Sequence, residues 1–254
     1  MRPIGYSTGA LAPGDVPAAF ARMGGLTGPG RARAVELSAL RLEELGPLIA
    51  ALPGLDLAGF AHVSVHAPSR FSREEEARLA EALAVFVPLG FPVVLHPDAI
   101  HDFAVWRRFG RGLCIENMDR RKPVGRTVLE LGRIFDRLPE ASFCFDIGHA
   151  HQVDRTMHEA YFLLRELGAR LAQIHISEVS TRGKHGPLSR SAVMAFRKVA
   201  DWVPAEVPVV IEASLSAPRL RRWEIEEQMS LAAEALEGLS GDPIAGIGAG
   251  GERP

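Results

Sequence analysis

Short apolar runs rich in β-forming residues alternate along this chain with segments of helical periodicity, about eight times in all. The runs are bounded by Gly, Pro or polar turns and lie at 2–8, 34–37, 62–67, 92–96, 112–117, 142–147, 172–178 and 208–214. Most are apolar on both faces, which is typical of a parallel sheet covered by helices. The pattern predicts an α/β protein, a single (β/α)8 TIM barrel.

The segments between these runs carry the spacing of amphipathic helices. In SREEEARLAEALAVFVPLG, Leu79, Leu83 and Phe86 share one face, and GRTVLELGRIFDRLP has a similar apolar stripe. The other predicted helices are 15–24, 41–52, 101–109, 156–170, 189–203 and 223–236. We expect the barrel to span 1–237 and the Gly-rich, aperiodic stretch 238–254 to form a flexible tail.

Composition indicates an ordinary globular protein, with 47% apolar and 24% charged residues. No run approaches the roughly 18 apolar residues of a membrane helix, and the N-terminus lacks a basic region followed by an apolar stretch, so we expect a cytoplasmic protein without a membrane partner. The net charge of −2 gives no global signal for nucleic acid. The two cysteines, Cys114 and Cys144, do not indicate a disulfide framework and are expected to be buried beneath the site.

Seven segments end an apolar run in a histidine or a carboxylate. The residues are His66, His96, Glu116, Asp146, His149, His175, His185 and Glu212. The strand ends of a barrel meet at its C-terminal face, and isolated charges in apolar runs are costly unless they are paired or bound to metal. One convergent site is therefore predicted. Mostly surface roles are expected for the other four histidines, His62, His101, His151 and His158.

Carboxylate and imidazole side chains together favour zinc, manganese, iron or cobalt, and magnesium is compatible with the carboxylates and one histidine. A metal-free alternative uses Glu116 and Glu212 as an acid/base pair with raised pKa values. That alternative leaves Asp146 and His175 as mere neighbours.

Basic residues cluster in the loops after the fifth to seventh strands, which would surround such a site. They are Arg120, Arg121, Lys122, Arg126, Arg155, Arg182 and Lys184. They are compatible with an anionic substrate group, such as a phosphate or a carboxylate, and equally with solvated loops.

The motifs SVHAP, LHPD, IENMD, FDIGHAH, HISE and IEAS, in this order, resemble the xylose isomerase-like TIM-barrel superfamily. That superfamily contains sugar isomerases and epimerases together with the endonuclease IV group of DNA repair enzymes. The resemblance extends over nearly the whole chain and is closest to members without an assigned activity.

Resemblance to the epimerases implies one divalent metal held by Glu116, Asp146, His175 and Glu212. Glu116 and Glu212 would also be the catalytic acid and base that move a proton through an enediolate. The residues implied or expected to contact substrate are His149, Glu178, Arg182, Arg120 and Lys184.

Resemblance to the endonucleases implies that His66, His96, His149 and His185 add further metal ligands around a cluster of three zinc ions. Gly183 stands where those enzymes have an aspartate that binds the third zinc, and the Asp-Ser-Lys run that they carry after HIS is absent. One or two ions are therefore expected rather than three.

The sequence thus predicts a divalent-metal-dependent isomerase or epimerase acting on a small sugar or sugar phosphate. The alternative is a metal-dependent phosphoester hydrolase or AP-endonuclease-like enzyme with two or three metals, and only this alternative implies a nucleic-acid partner. A metal-bound barrel without catalysis is a third hypothesis. A homo-oligomer is compatible with each of them.

Overall fold

The computed structural model of the protein describes residues 2–24, 32–215 and 221–238, and within these ranges eight parallel strands close into a barrel. The barrel strands are β1 (Ile4–Ser7), β2 (Ala34–Ser38), β3 (His62–His66), β4 (Val93–Leu95), β5 (Leu113–Glu116), β6 (Ser142–Asp146), β7 (Leu171–Ile176) and β10 (Val209–Ile211). Each strand pairs with the next along the chain, and β10 closes the barrel against β1. The predicted single (β/α)8 barrel is confirmed, including the strand at 34–37.

Two further short strands, β8 (Glu178–Val179) and β9 (His185–Gly186), form an antiparallel hairpin after β7. The α-helices follow the strands in alternation. They are α1 (Thr8–Leu11), α2 (Val16–Met23), α3 (Leu42–Ala51), α4 (Arg73–Leu83), α5 (Phe103–Arg107), α6 (Val128–Arg137), α7 (Ile147–Val153), α8 (His158–Leu167), α9 (Arg190–Phe196) and α10 (Arg222–Ala235). No helix in the described ranges is both long enough and apolar enough to cross a bilayer.

Side-chain caps fix the starts of several helices. Ser72 and Glu75 form a capping box at α4, and Thr127 accepts a hydrogen bond from the amide of Glu130 at α6. Helix α4 stops earlier than predicted, because the chain continues as a 3-10 helix over Ala84–Leu89 and then turns at Gly90 with φ of 74°. Helices α1 and α7 were not predicted, since each begins directly at a strand end.

The main apolar core lies between the barrel wall and the helices, with fully buried side chains such as Leu37, Phe86 and Phe145. A second, smaller cluster joins Val94, Cys114 and Cys144. Because Cys114 precedes Glu116 by two residues and Cys144 precedes Asp146 by two, both thiols lie one layer beneath the site, as predicted.

The surface role expected for His62 was wrong. Its Nε2 lies 2.9 Å from Oε1 of Gln173, because β3 starts inside the barrel. His101 and His158 are exposed as expected, and His151 is half-buried against the ring of Phe196. The predicted tail 238–254 lies outside the described residues except for Gly238, and its flexibility stays a prediction.

Candidate metal centre

The eight predicted ligands meet at the C-terminal mouth of the barrel, where they form three overlapping groups. Within each group the ligand atoms lie within 4.8 Å of one another. The groups are His66, His96 and Glu116; Glu116, Asp146, His175 and Glu212; and Asp146, His149 and His185. Glu116 belongs to the first two groups and Asp146 to the last two, so the carboxylates connect them. A fourth group joins Glu36, which was not predicted, to His66 and Glu212.

Glu116 lies at the centre of this arrangement and is 1% exposed. Its Oε2 lies 3.4 Å from Nε2 of His66 and 3.3 Å from Nε2 of His96. Its Oε1 lies 3.3 Å from Nδ1 of His149 and 3.6 Å from Nδ1 of His175. The two oxygens of one carboxylate therefore face two different groups of ligands, which is the placement of a bridging carboxylate.

Several side-chain oxygen and nitrogen atoms in these groups are buried but have no hydrogen-bond partner. They are Oε2 of Glu116, Oδ2 of Asp146, Nδ1 of His175 and Nδ1 of His96. An unsatisfied buried polar atom costs about 1–3 kcal/mol, and more when it is charged. A divalent cation would satisfy Oδ2 of Asp146 and Nδ1 of His175 together, and a cation beside His66 and His96 would satisfy Oε2 of Glu116, so the residues present fit a metal site.

His66 and His175 are each oriented by a hydrogen bond at the ring nitrogen that points away from Glu116. Nδ1 of His66 lies 2.7 Å from the carbonyl oxygen of Ala67, and Nε2 of His175 lies 2.9 Å from Oε2 of Glu36. An imidazole that donates from one nitrogen keeps the lone pair of the other nitrogen for a metal. In both rings that other nitrogen faces Glu116.

The third group is held in a similar way. Nδ1 of His149 lies 2.9 Å from the carbonyl oxygen of Asn117, and Nδ1 of His185 lies 2.9 Å from Oγ of Ser177. The two remaining nitrogens, both Nε2, face each other at 3.3 Å. Oδ1 of Asp146 accepts a hydrogen bond of 2.6 Å from the amide of His149 and caps α7, which leaves Oδ2 for the centre.

No family model matches the sequence, and no curated protein matches it. Solved structures do match. The structure of L-ribulose 3-epimerase is 14% identical, with a TM-score of 0.58 over 92% of this chain and 91% of that chain. Endonuclease IV from Thermus thermophilus is 19% identical, with a TM-score of 0.57 over 91% of this chain and 99% of that one.

A third solved structure also matches. It is a xylose isomerase-like TIM barrel protein from Mycobacterium smegmatis in complex with magnesium, 14% identical, with a TM-score of 0.57 over 93% of this chain and 98% of that chain. This chain shares the TIM-barrel fold of these three proteins.

Six of the eight predicted ligands, all except Asp146 and His175, line a cavity of about 490 Å³. Among the predicted substrate-binding residues, His149 and Lys184 line the cavity. Glu178 lies in β8 and accepts a hydrogen bond of 3.2 Å from the amide of Ser189. Arg120 and Arg182 are exposed and lie outside the cavity lining, so their role in substrate binding stays a prediction.

Three other basic residues line the cavity: Arg70, which the sequence analysis missed, Arg121 and Lys122. Nε and Nη2 of Arg121 donate to Asp119 at 3.0 and 2.8 Å, and Nζ of Lys122 donates to Oδ2 of Asp98 at 2.8 Å. The mouth of the cavity is therefore basic, whereas its floor carries the carboxylates.

Glu36 is a buried carboxylate beside the candidate ligands that the sequence analysis did not predict. It lies in the middle of β2, is fully buried, and accepts hydrogen bonds at Oε2 from Oγ of Ser64 at 3.1 Å and from Nε2 of Gln173 at 2.8 Å. The sequence does show a carboxylate inside the apolar run AVELS. Glu36 does not end its strand, so the strand-end pattern does not include it.

In the metal-free centre, burial and neighbouring charges shift the pKa values of several candidate ligands. Burial raises the pKa of Glu212 to about 8, and the charge of Glu116 acts in the same direction. Burial lowers the pKa of His66 and His149, but hydrogen bonds and nearby carboxylates outweigh it and raise the two values to about 9 and about 10. Burial and the charge of His149 lower the pKa of His185 to about 3.

Proposed function

We propose that this protein is a metal-dependent hydrolase of small phosphoesters in which Glu116 bridges two divalent ions. The observation that carries the proposal is the placement of the Glu116 carboxylate, whose Oε2 faces His66 and His96 while its Oε1 faces His149 and His175. A centre for a single ion would use His66 and His96 only as hydrogen-bond partners of the substrate. Both are buried or nearly so, and both point a ring nitrogen at Glu116.

In this proposal one ion would be held by His66, His96 and Glu116. The other would be held by a second group of ligands: Glu116, Asp146, His175 and Glu212. The mixture of imidazole and carboxylate favours zinc, manganese, iron or cobalt over magnesium, which prefers oxygen ligands. Two such ions activate water for attack and stabilise the charge on the attacking and leaving oxygens of a phosphoester.

The chain's own residues would bind and orient the substrate. Glu212 is 14% exposed at its side chain and faces the cavity, so it can hold a proton near the reacting group. The basic mouth, with Arg70, Arg121 and Lys184, attracts an anionic ester. Asp146 and His175 are fully buried and fix the positions of the ligand atoms.

The size of the cavity favours a small substrate. Its volume of about 490 Å³ lies within the roughly 300–1,000 Å³ that is typical of small-molecule sites. The net charge of −2 gives no basic footprint of the kind that duplex binding leaves. These observations favour a phosphorylated metabolite over DNA as the substrate.

A sugar isomerase or epimerase is the second candidate, and the position of Glu212 favours it. Its carboxylate faces the cavity, 3.4 Å from Nδ1 of His175, and could exchange a proton with a sugar carbon through an enediolate. The first candidate is preferred because Glu116, the partner acid or base, lies among four imidazoles with 1% exposure. That environment suits a ligand better than a second base.

The test uses cobalt- or zinc-loaded protein with p-nitrophenyl phosphate and bis(p-nitrophenyl) phosphate, beside exchange of deuterium from solvent into ketose sugars. We expect ester hydrolysis that falls at least about 100-fold in His96→Ala, as expected when a ligand of a catalytic metal is removed. His158→Ala, which changes an exposed histidine, should keep full activity. Deuterium exchange into a ketose without any ester hydrolysis would replace the hydrolase by the isomerase.

A further inference from the structure

Arg121 lies directly against Gly183 at the mouth of the cavity. Gly183 belongs to the turn between β8 and β9 and has φ of 69°, a conformation that L-residues with side chains rarely adopt. A Cβ added at Gly183 would overlap with Nε, Cζ and Nη2 of Arg121. Glycine at this position is therefore what allows the guanidinium to approach the hairpin.

The guanidinium of Arg121 is held in a fixed orientation by Asp119. Nε donates to Oδ1 at 3.0 Å and Nη2 donates to Oδ2 at 2.8 Å, while the backbone amide of Arg121 donates to Oδ1 at 2.7 Å. Asp119 itself is 2% exposed. An arginine has five N–H donors, and within the described ranges Nη1 makes no hydrogen bond. The guanidinium of Arg121 thus has a fixed orientation and keeps N–H donors available for a ligand.

The charge around this guanidinium is positive. Asp119 neutralises Arg121, and Asp98 neutralises Lys122, but Arg70 and Lys184 have no ion-pair partner in the part of the chain that the structure describes. Both line the same cavity as Arg121. A fixed guanidinium beside unpaired cations is the arrangement that recognises phosphate, because its N–H donors match two phosphate oxygens.

We propose that Arg121 binds a phosphate group of the substrate, that Arg70 and Lys184 supply the net charge, and that Gly183 sets the position of the guanidinium. The inference rests on the proposed function and names the residues that would bind the phosphate group of its substrate. It also assigns the phosphate contact to Arg121 and not to the neighbouring Arg120, which lies outside the cavity lining.

The experiment measures the affinity of cobalt-loaded protein for inorganic phosphate by calorimetry, together with metal content. We expect Arg121→Ala to weaken phosphate binding by about 10-fold to 100-fold, since charge-assisted hydrogen bonds are lost, with the metal content unchanged. Arg121→Lys should recover only part of the loss, because a lysine cannot make the bidentate contact. The matched control, Arg120→Ala, should change the affinity less than about twofold, because Arg120 lies outside the cavity lining and contributes only a surface charge.

A second variant tests the role of Gly183. Gly183→Ala should displace the guanidinium and weaken phosphate binding in the same direction, while the thermal unfolding of the loaded protein shows that it is folded. Phosphate affinity of Arg121→Ala equal to that of the Arg120→Ala control would overturn the inference. Phosphate affinity that depends on Arg121 without hydrolysis of any ester would leave the binding site standing and remove the proposed hydrolase.

Discussion

Oε2 of Glu36 lies 2.9 Å from Nε2 of His175, in a part of the barrel where neither side chain is exposed. Burial raises the pKa of Glu36, but the charge of His175 and the hydrogen bond from its ring outweigh burial and lower the value to about 2. The carboxylate therefore stays ionised and accepts the proton of Nε2. His175 is left with Nδ1 directed at Glu116 and Glu212.

We expect Glu36→Gln to weaken metal binding by about 10-fold to 100-fold, the usual effect of losing a residue that orients a histidine ligand. Competition with a chromogenic chelator measures the affinity. Glu76→Gln is the matched control, because Glu76 is a buried carboxylate that accepts from Nε1 of Trp106 at 2.8 Å, outside the centre. Equal affinity in the two variants would show that Glu36 does not orient His175.

Glu212→Gln should abolish turnover in either catalytic proposal, because it removes a ligand charge and a group that can hold a proton. Initial rates with the metal-loaded variant measure this. His158→Ala should leave turnover unchanged, since the side chain is exposed. His62→Ala is a poor control, because His62 contacts Gln173, which donates to Glu36. A fully active Glu212→Gln protein would contradict the assignment.

Metal binding should release protons and become tighter as pH rises. At pH 7 three of the proposed ligands are protonated in the metal-free centre. They are Glu212, with a pKa of about 8, His66, with a pKa of about 9, and His175, whose pKa is lowered by burial but raised well above its ordinary value by nearby carboxylates. Ligands bind metal in their deprotonated forms, so each must lose its proton. Calorimetry in two buffers of different ionisation enthalpy counts the protons released. Binding at pH 7 without proton release would contradict these protonation states.

The two thiols should not react in the native protein. Cys114 and Cys144 are fully buried inside the barrel, and burial raises the pKa of Cys144 well above its ordinary value. A thiol reagent should therefore modify both cysteines only after denaturant is added. Rapid, stoichiometric modification of the folded protein would show that the layer beneath the centre is open.

The barrel could be predicted from the sequence because its strands are buried on both faces. Helices cover the outer face and packed side chains fill the interior, so the strands are apolar throughout. The runs at 62–67 and 142–147 coincide with β3 and β6 to within a residue. The candidate ligands could also be predicted from the sequence. Glu116, Asp146 and His66 end their strands, and the strand ends of a barrel converge.

Residues whose role depends on tertiary contacts were harder to predict. Glu36 acts from the middle of a strand, and only the closure of the barrel brings it to His175, 139 residues away. Adjacent Arg120 and Arg121 are indistinguishable in sequence, yet the loop conformation set by Asp119 and Gly183 places only Arg121 at the cavity.

The stoichiometry of bound metal tests the central claim most directly. Elemental analysis of zinc-loaded, dialysed protein should give two tightly held equivalents per chain, and His66→Ala combined with His96→Ala should lose one of them. The same analysis on His101→Ala combined with His158→Ala, two exposed histidines, should still give two. A single equivalent that the His66 and His96 changes leave in place would contradict the bridging role of Glu116 and favour the isomerase.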